Sequence, residues 1–575
     1  KRPRDLRALD QKRLNNPDWY QESEMVGYIC YTDRFAQTLN GVAEKIDYLN
    51  ELGVTYLHLM PLLEPRPEPN DGGYAVMNYR QVDSKLGSID DLADLAQKLR
   101  SQGISLCTDL VCNHTAIEHE WARKARAGNP KYQAYYLTYT NRKLPDQYEA
   151  HLREIFPENA PGNFIFDEEM GRWVWSTFNT YQWDLNYRNP AVFIEMLDII
   201  LNLANHGVEI VRLDAVAFMW KELGTSSENL PEAHAILQAF RAFSRMAAPG
   251  LIFKAEAIVA PDDVVPYLGT GKMAGKECEI AYHNSLMVYM WSMLAEQNVV
   301  LSTYSLQQLP IMPTEAAWVN YVRLHDDIGW AIMDEYAAEV GLNGFMHRSF
   351  LSDFYAGSFP GTHAKGDIFQ YNPETGDRRV CGSCASLAGL ETALDGADAH
   401  AIDLAVKRIL LIHSMIFAAG GIPLIYMGDE LGMTNDYSYL DDPTRMDDSR
   451  WMQRPIMNWK KAAQRHNQRL PEGRIFAGMR HISEVRKSLN ALHSNAASEP
   501  IWTHNDQIFG LIRESARGRV LVLGNFSDQL QLINAVRMQE IGFAINLIDH
   551  LTGKHVAGWQ NFVLEPFESL WLEQR

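Results

Sequence analysis

Eight short apolar, β-rich runs recur along the first three quarters of this chain, with amphipathic helical stretches between many of them. They lie at Met25–Tyr31, Val54–Met60, Ile104–Leu110, Val208–Val216, Leu251–Ile258, Glu277–His283, Trp318–Leu324 and Ile422–Met427. The stretches Val42–Leu52 and Leu92–Ser101 carry helical spacing. Strands buried on both faces and separated by helices demand a parallel sheet, and eight of them predict a closed (β/α)8 TIM barrel. The span from Met25 to Met427 far exceeds the about 250 residues of a plain barrel, so the surplus must sit in insertions. Two gaps are long enough, residues 111–184 after the third strand and 328–393 after the seventh. Both are rich in Gly, Pro, Asn and aromatics, the composition of active-site loops.

The expected organisation is a helical segment over residues 1–24, with Leu6, Leu9 and Leu14 at helical spacing. The barrel follows over 25–110, 185–327 and 394–489, interrupted by the two insertions. From about residue 490 the pattern shifts to short strands with turns between them, at Ile508–Ile512, Val520–Leu523, Ala544–Ile548 and Ser569–Leu572. An antiparallel β-sandwich domain over 490–575 is expected there.

Composition narrows the function. Charged residues are 22% and hydrophobic residues 46% of the 575, as in ordinary globular proteins. A net charge of −19 disfavours nucleic acid and anionic lipid as partners but costs a neutral substrate nothing. The most apolar stretch, Ile409–Met427, contains His413, Gly420, Gly421 and Pro423, so it reads as a buried helix, a turn and a strand rather than a membrane span. The chain opens at Lys1 with no signal-peptide pattern, and six sparse cysteines suit a reducing compartment, so a cytoplasmic protein is expected. Cys381-Gly-Ser-Cys384 lacks the second ligand pair or the thioredoxin-like context of a functional CxxC, and two reduced thiols in a loop are expected. Trp173, Trp175 and Trp183 are expected to pack the first insertion rather than to serve as sugar platforms.

Barrel active sites form at the C-terminal ends of strands. Four of the eight runs end in chemistry-bearing residues: Asp109 with Asn113 and His114, Arg212 with Asp214, Glu256, and His325 with Asp326 and Asp327. Carboxylates gathered on one rigid rim suit retaining glycoside cleavage, in which one carboxylate attacks the anomeric carbon and a carboxylic acid about 5–5.5 Å away protonates the leaving oxygen. Arg212, two residues before Asp214 on the same strand face, would keep that nucleophile ionised.

These strand-end segments resemble the signature regions of the α-amylase family, glycoside hydrolase family thirteen. The segments Asp71-Gly-Gly-Tyr74-Ala-Val, His151-Leu-Arg153-Glu-Ile-Phe156-Pro, Asp214-Ala-Val-Ala-Phe-Met-Trp220-Lys, His325-Asp-Asp-Ile-Gly-Trp330 and Asp447-Asp-Ser-Arg450-Trp451 resemble one subfamily, the amylosucrases and sucrose hydrolases. The resemblance implies Asp214 as nucleophile, Glu256 as general acid and then base, and Asp326 as holder of the sugar hydroxyls and stabiliser of the transition state. It implies that His114 and His325 bind the same glucosyl ring, that Arg212 holds Asp214, and that Tyr74 and Phe178 line the pocket. It also implies that an Asp71–Arg450 salt bridge closes the far side of the glucosyl subsite, that Arg153 sits toward the acceptor side, and that Asp327 pairs with Arg379. No cofactor and no required metal are expected: Asp109 and Asn113 lack the clustered oxygens that calcium wants.

The partner expected is a small sugar, sucrose, with glucose and fructose as products. Hydrolysis and glucan synthesis share the first half-reaction. In the second insertion Arg348 and Arg379 match positions that guide or brace the acceptor glucan, but Ser349 to Ser358 lacks the further arginines of the polymerising relatives, and Asp353 reverses one charge. A sucrose hydrolase is therefore expected, with amylosucrase as the alternative and other glucosidases or trehalose synthases as rivals. A non-catalytic amylase-fold sugar-binding protein is a remote alternative, since all three carboxylates are present. The oligomeric state stays open.

Overall fold

The computed structural model describes residues 2–155, 159–257, 259–372, 376–516 and 518–574. Phe156 and Pro157 of the quoted motif, and Ile258 at the end of the fifth run, lie outside the described residues. All eight apolar runs form strands, here β1 (Gly27–Cys30), β2 (Tyr56–Leu59), β3 (Ser105–Val111), β4 (Ile210–Asp214), β5 (Ile252–Ala255), β6 (Ile280–Tyr282), β7 (Ala317–Tyr321) and β8 (Ile422–Tyr426). Each pairs in parallel with its sequence neighbours, and β8 pairs with β1, which closes the barrel. Closure leaves no exposed sheet edge and buries every one of the strands. The register sets Arg212 of β4 level with Asp109 of β3 and with Lys254 of β5.

The helices depart from the simplest reading in two places. The stretch Val42–Leu52 is two short helices, Leu39–Ala43 and Ile46–Leu52, ended by Gly53 at φ 85°. The N-terminal helix, Arg4–Asn15, buries Leu6, but its other buried residues are Asp10 and Arg13, whereas Leu14 is 46% exposed. The expected Leu6–Leu9–Leu14 face is thus corrected to a polar one. Arg13 donates to Gly250 O (3.0 Å), to Ser105 Oγ (2.8 Å) and to Glu209, and Asp10 accepts from Gly250 N (3.1 Å). These contacts dock the helix on the barrel end opposite the carboxylate rim, where backbone and charged groups, not apolar ones, are on offer.

Between β3 and β4 the chain makes an antiparallel pair, His114–Ala116 with Gln182–Asp184, and a three-stranded sheet of Thr138–Tyr139, Phe164–Asp167 and Arg172–Trp175. Trp175 and Trp183 are among the most deeply buried side chains, and Trp173 lies against Arg142. After β7 come the helices Asp334–Glu339 and Gly344–Tyr355 and a hairpin of Asp367–Tyr371 with Arg378–Cys381. A bridge between Ile328 and Val380 ties that hairpin to the barrel rim. Cys381 and Cys384 are not in a loop: one ends this hairpin and the other opens a short helix. All six cysteines are buried and unpaired.

The apolar stretch before β8 is the buried end of the helix Ala399–Ala418 followed by a turn at Gly420 and Gly421, both at positive φ. A Cβ on Gly420 would stand 1.8 Å from Arg513 Nη1, and one on Gly421 2.5 Å from Trp318 O, so only glycine fits this crossing. Among the described residues no helix is long and apolar enough to cross a membrane. The C-terminal strands β9 (Ala497–Trp502), β10 (Ile508–Ser515), β11 (Gly518–Asn525), β12 (Asn546–Asp549), β13 (His555–Ala557) and β14 (Ser569–Gln574) form an antiparallel sheet in the order β9-β10-β11-β14-β12-β13. A ribbon of Gln531–Ile533 and Phe562–Leu564 shares its core, which includes Leu521, Leu523, Ile533, Leu564 and Leu572.

One buried cation joins the first insertion to the barrel. Lys221, after β4, donates to Asn113 Oδ1 (3.0 Å) and to Phe218 O, and its Nζ lies 2.7 Å from Asp184 Oδ2. Asp184 is fully buried. Lys221→Met would leave that carboxylate without its counter-charge, a loss of about 3–5 kcal/mol. Urea unfolding followed by tryptophan fluorescence should show it, and a change under about 1 kcal/mol would mean that the pair carries no net weight.

Candidate active site

The strand ends converge on a cavity of about 680 Å3 at the C-terminal mouth of the barrel. Its lining includes all twelve residues singled out from the sequence: Asp71, Tyr74, His114, Arg153, Phe178, Arg212, Asp214, Glu256, His325, Asp326, Asp327 and Arg450. They arrive from strand ends, the segment after β2, the first insertion and the loop after β8.

Arg212 organises the floor. Its Nη1 lies 2.6 Å from Asp109 Oδ1 and 2.5 Å from Asp214 Oδ1, and its Nη2 lies 3.6 Å from Glu256 Oε1. Glu256 Oε2 also accepts from the backbone N–H of Ala215 at 2.8 Å. Ala215 holds that N–H in place at φ 53°, a conformation that a β-carbon resists, directly after Asp214. Burial pushes both the Asp214 and the Glu256 carboxyls up, nearby carboxylates push further, and Arg212 pulls each back. The guanidinium stands closer to Asp214, so it favours the ionised form there more than on Glu256. Asp326 differs: burial raises it, but His325, Arg450, Arg454 and Arg212 outweigh burial and leave it below the usual carboxylate range.

The far wall is built from Asp71 and Arg450. Arg450 Nη2 is 3.3 Å from Asp71 Oδ1, while Asp71 Oδ2 accepts from Gln182 at 3.3 Å. Asp448 braces Arg450 at 2.8–2.9 Å. The Tyr74 ring stacks on His325 (centroids 5.4 Å apart, planes at 12°), and Phe178 lies against His114 and Phe218. His325 Nδ1 is buried with no protein partner among the described residues, whereas His114 Nε2 lies 3.3 Å from Tyr74 O. Burial lowers His114 to about 4 and His325 to about 3, so both rings are neutral near pH 7.

At the mouth, Arg153 is 3.3 Å from Glu228, and Arg379 is 3.6 Å from Asp327. Arg348 meets Asp334 at 2.7 Å, and Arg378 meets Asp353 at 2.5 Å. Sequence reasoning missed Glu228, Arg378 and Arg454. Arg454 lies beneath the Asp326 carboxylate, 3.8 Å away, and its place one helical turn after Arg450 was the available signal.

As for metal ligands, Asp109 is already engaged by His58 and Arg212, and Asn113 by Lys221 and Asp184. Among the described residues one group, Cys384, His413 and Asp429, brings ligand atoms within 4.8 Å of one another. It is buried behind β7 and β8, and Arg323 already occupies Asp429 Oδ1 at 2.7–2.8 Å.

His58, His119, His283, His347, His363 and His413 share the fate of the two pocket histidines, each lowered by burial to about 3 or 4. Each gains a proton on unfolding between its folded value and about 6.5, so stability is full above that range and is lost as pH falls through it. The melting temperature should fall steeply from pH 6.5 toward 5, each histidine contributing up to about 1.4 kcal/mol per pH unit. A flat profile down to pH 5 would show that proton uptake in the folded protein, on these rings or on the raised carboxyls of Glu296, Asp429 and Glu430, offsets the loss.

Comparison with known proteins agrees with this geometry. Residues 17–320 match the family model "Alpha amylase, catalytic domain". Trehalose synthase/amylase TreS of Mycolicibacterium smegmatis is 31% identical over 406 residues, 70% of this chain and 61% of that protein, so the match spans under two thirds of that relative. Glucosylglycerate phosphorylase of Escherichia coli is 25% identical over 578 residues, 99% of this chain and 94% of that one. Among solved structures, sucrose 6F-phosphate phosphorylase from Thermoanaerobacter thermosaccharolyticum superposes with a TM-score of 0.67 at 18% identity, over 94% of this chain and 98% of that one. The family match covers more than half of the chain and ends within β7, so three of the four charged strand ends lie inside it. This chain belongs to the α-amylase family, glycoside hydrolase family thirteen, whose enzymes act on α-glucosides with retention.

Proposed function

We propose that the chain cleaves sucrose, transfers the glucosyl group to Asp214 with release of fructose, and then passes it to water. Asp214 attacks the anomeric carbon while Glu256 protonates the departing fructosyl oxygen. Glu256, now a carboxylate, takes a proton from the incoming water in the second half-reaction. Asp326, kept ionised by four cationic or imidazole neighbours, faces the positive charge that develops on the ring. The Asp71–Arg450 pair ends the pocket after one glucosyl unit, which suits a disaccharide donor better than the interior of a glucan. Burying an ordinary α-glucosyl ring against neutral His114 and His325 and the faces of Tyr74 and Phe178 needs no charge on the donor.

The charge pairing at the mouth carries the choice of leaving group. Arg153, Arg348, Arg378 and Arg379 each stand against a carboxylate, so none offers an uncompensated cation. A neutral aglycone fits that rim, whereas the glycerate of a glucosylglycerate or a free phosphate would meet a site already neutralised. The same pairing favours water over a glucan. Asp353 draws Arg378 to itself, which removes a donor that an acceptor hydroxyl could use. The buried, unpaired thiols suit a reducing compartment such as the cytoplasm.

The test is sugar analysis over time with sucrose alone, then with a short maltooligosaccharide or with inorganic phosphate, and with maltose, trehalose and glucosylglycerate as rival donors. Equal glucose and fructose under all three sucrose conditions supports a hydrolase. Fructose in excess over glucose with growing α-1,4-glucan makes the chain an amylosucrase. Glucose 1-phosphate formed in phosphate, or preference for trehalose or glucosylglycerate, overturns the reading. Glu256→Gln should lower sucrose cleavage about 10²–10⁴-fold yet leave the first burst of fluoride from α-glucosyl fluoride, whose leaving group needs no proton, far less affected, with steady turnover slowed because the incoming water has lost its base. Asp353→Asn, by freeing Arg378, should raise the share of glucosyl groups passed to maltooligosaccharide. An unchanged product ratio would remove Asp353 from the account of specificity.

A further inference from the structure

Below the carboxylate rim, the inside of the barrel holds charge where aliphatic side chains ordinarily fill the layers. Lys254 of β5 is fully buried, and His58 of β2 and Asp109 of β3 are nearly so. Lys254 Nζ donates to Tyr56 Oη at 2.6 Å and meets His58 Nδ1 at 2.9 Å. A lysine ammonium has donors only, so Nδ1 of His58 must accept, which places the imidazole proton on Nε2. That nitrogen lies 2.9 Å from Asp109 Oδ2. Asp109 Oδ1 in turn takes Arg212 Nη1, the same nitrogen that holds Asp214. The side chains facing Lys254 are Tyr56 and His58 of β2, Cys107 and Asp109 of β3, Arg212 of β4 and Tyr282 of β6, whose ring lies 4.6 Å from the ammonium.

Every hydrogen bond in this line has a settled direction, and the line runs across the barrel to the nucleophile. We propose that Lys254 and His58 are positioning residues that, through Asp109, set how far Arg212 leans toward Asp214 and so keep the nucleophile ionised and aimed. The proposal rests on the reading of Asp214 as nucleophile. Without Lys254, Asp109 still keeps the proton on Nε2 of His58, but Nδ1 has lost the donor that holds the ring in place, so the ring can turn away from Asp109. Asp109 then has only Arg212 to satisfy it and draws the guanidinium away from Asp214. The ammonium also offsets part of the Asp109 charge, and with it gone the carboxylate competes harder for Arg212. Burial lowers the Lys254 amine to about 8, so the cation persists through neutral pH.

The experiment uses α-glucosyl fluoride, which reports glucosyl transfer to Asp214 whatever the natural aglycone. Wild type, Lys254→Met, His58→Leu, His58→Gln and the Lys254→Met/His58→Leu double variant are compared in kcat, KM and the pH profile of kcat/KM, after circular dichroism and melting show which are folded. Lys254→Met and His58→Leu should each lower kcat about tenfold or more with KM within about twofold, and should move the acid limb of the profile upward. The double variant should be no worse than either single one, because both cut the same line. His58→Gln, whose amide can accept from Lys254 and donate to Asp109, should recover most of what His58→Leu loses. Should Lys254→Met not fold, the His58→Leu and His58→Gln pair reads the same line. A folded variant with wild-type kcat and acid limb, or losses that multiply in the double variant, overturns the proposal. Failure of the wild type to release fluoride would instead overturn the reading of the site.

Discussion

A rim that brings Asp109, Asp214, Glu256 and Asp326 together at the mouth of the barrel can exist only because cations stand among them, and Arg212 is the one on which the others depend. Its side chain is 3% exposed and touches three of the four carboxylates. A carboxyl taken from water has its pKa raised, and neighbouring carboxylates raise it further, so without a central cation the group would hold several protons. The planar fork of a guanidinium serves two directions at once, and a lysine at this position could not reproduce it. The unequal distances from Arg212 distinguish otherwise similar carboxyl groups, because the guanidinium favours the ionised form of Asp214 more than that of Glu256.

The same solution recurs outward from the centre. Arg450 and Arg454 sit behind Asp326 and Asp71, Lys221 holds the first insertion to the barrel through Asp184, and Lys254 with His58 closes the interior side of Asp109. Buried pairs of this sort contribute little net stability compared with apolar packing, but each fixes a distance and a protonation state, which is what a two-carboxylate mechanism requires. At the mouth, four arginines each stand against a carboxylate, so these pairs add no net charge.

The barrel was legible because its signal is local. A strand buried on both faces must be a short apolar run, and eight such runs separated by helices admit few topologies. The charged strand ends were legible for a related reason: Asp214, Glu256, His325 and Asp326 each interrupt an apolar run at its C-terminal end, where a barrel places its active site. Other features gave no local sign. Lys254 lies inside the run Leu251–Ile258 and reads as a blemish in an apolar strand. His58 does the same in Val54–Met60. The N-terminal helix has leucines at helical spacing, yet the surface it meets is polar, so Asp10 and Arg13 became its buried face. Asp353 stood out as a reversed charge, but its partner Arg378 is brought to it only by the folding back of a hairpin.

The sequence alone therefore determined the barrel, the places where insertions interrupt it, the antiparallel strands at its end and the residue types gathered at the rim, because periodicity and strand-end chemistry are properties of neighbours along the chain. Tertiary structure decided which cation serves which carboxylate, which tautomer His58 adopts, which face the first helix buries and whether the arginines at the mouth are free or spent. Those outcomes depend on distances of 2.5–4 Å between residues tens to hundreds of positions apart, and Coulomb energies that vary with such distances and with burial have no counterpart in the order of residues.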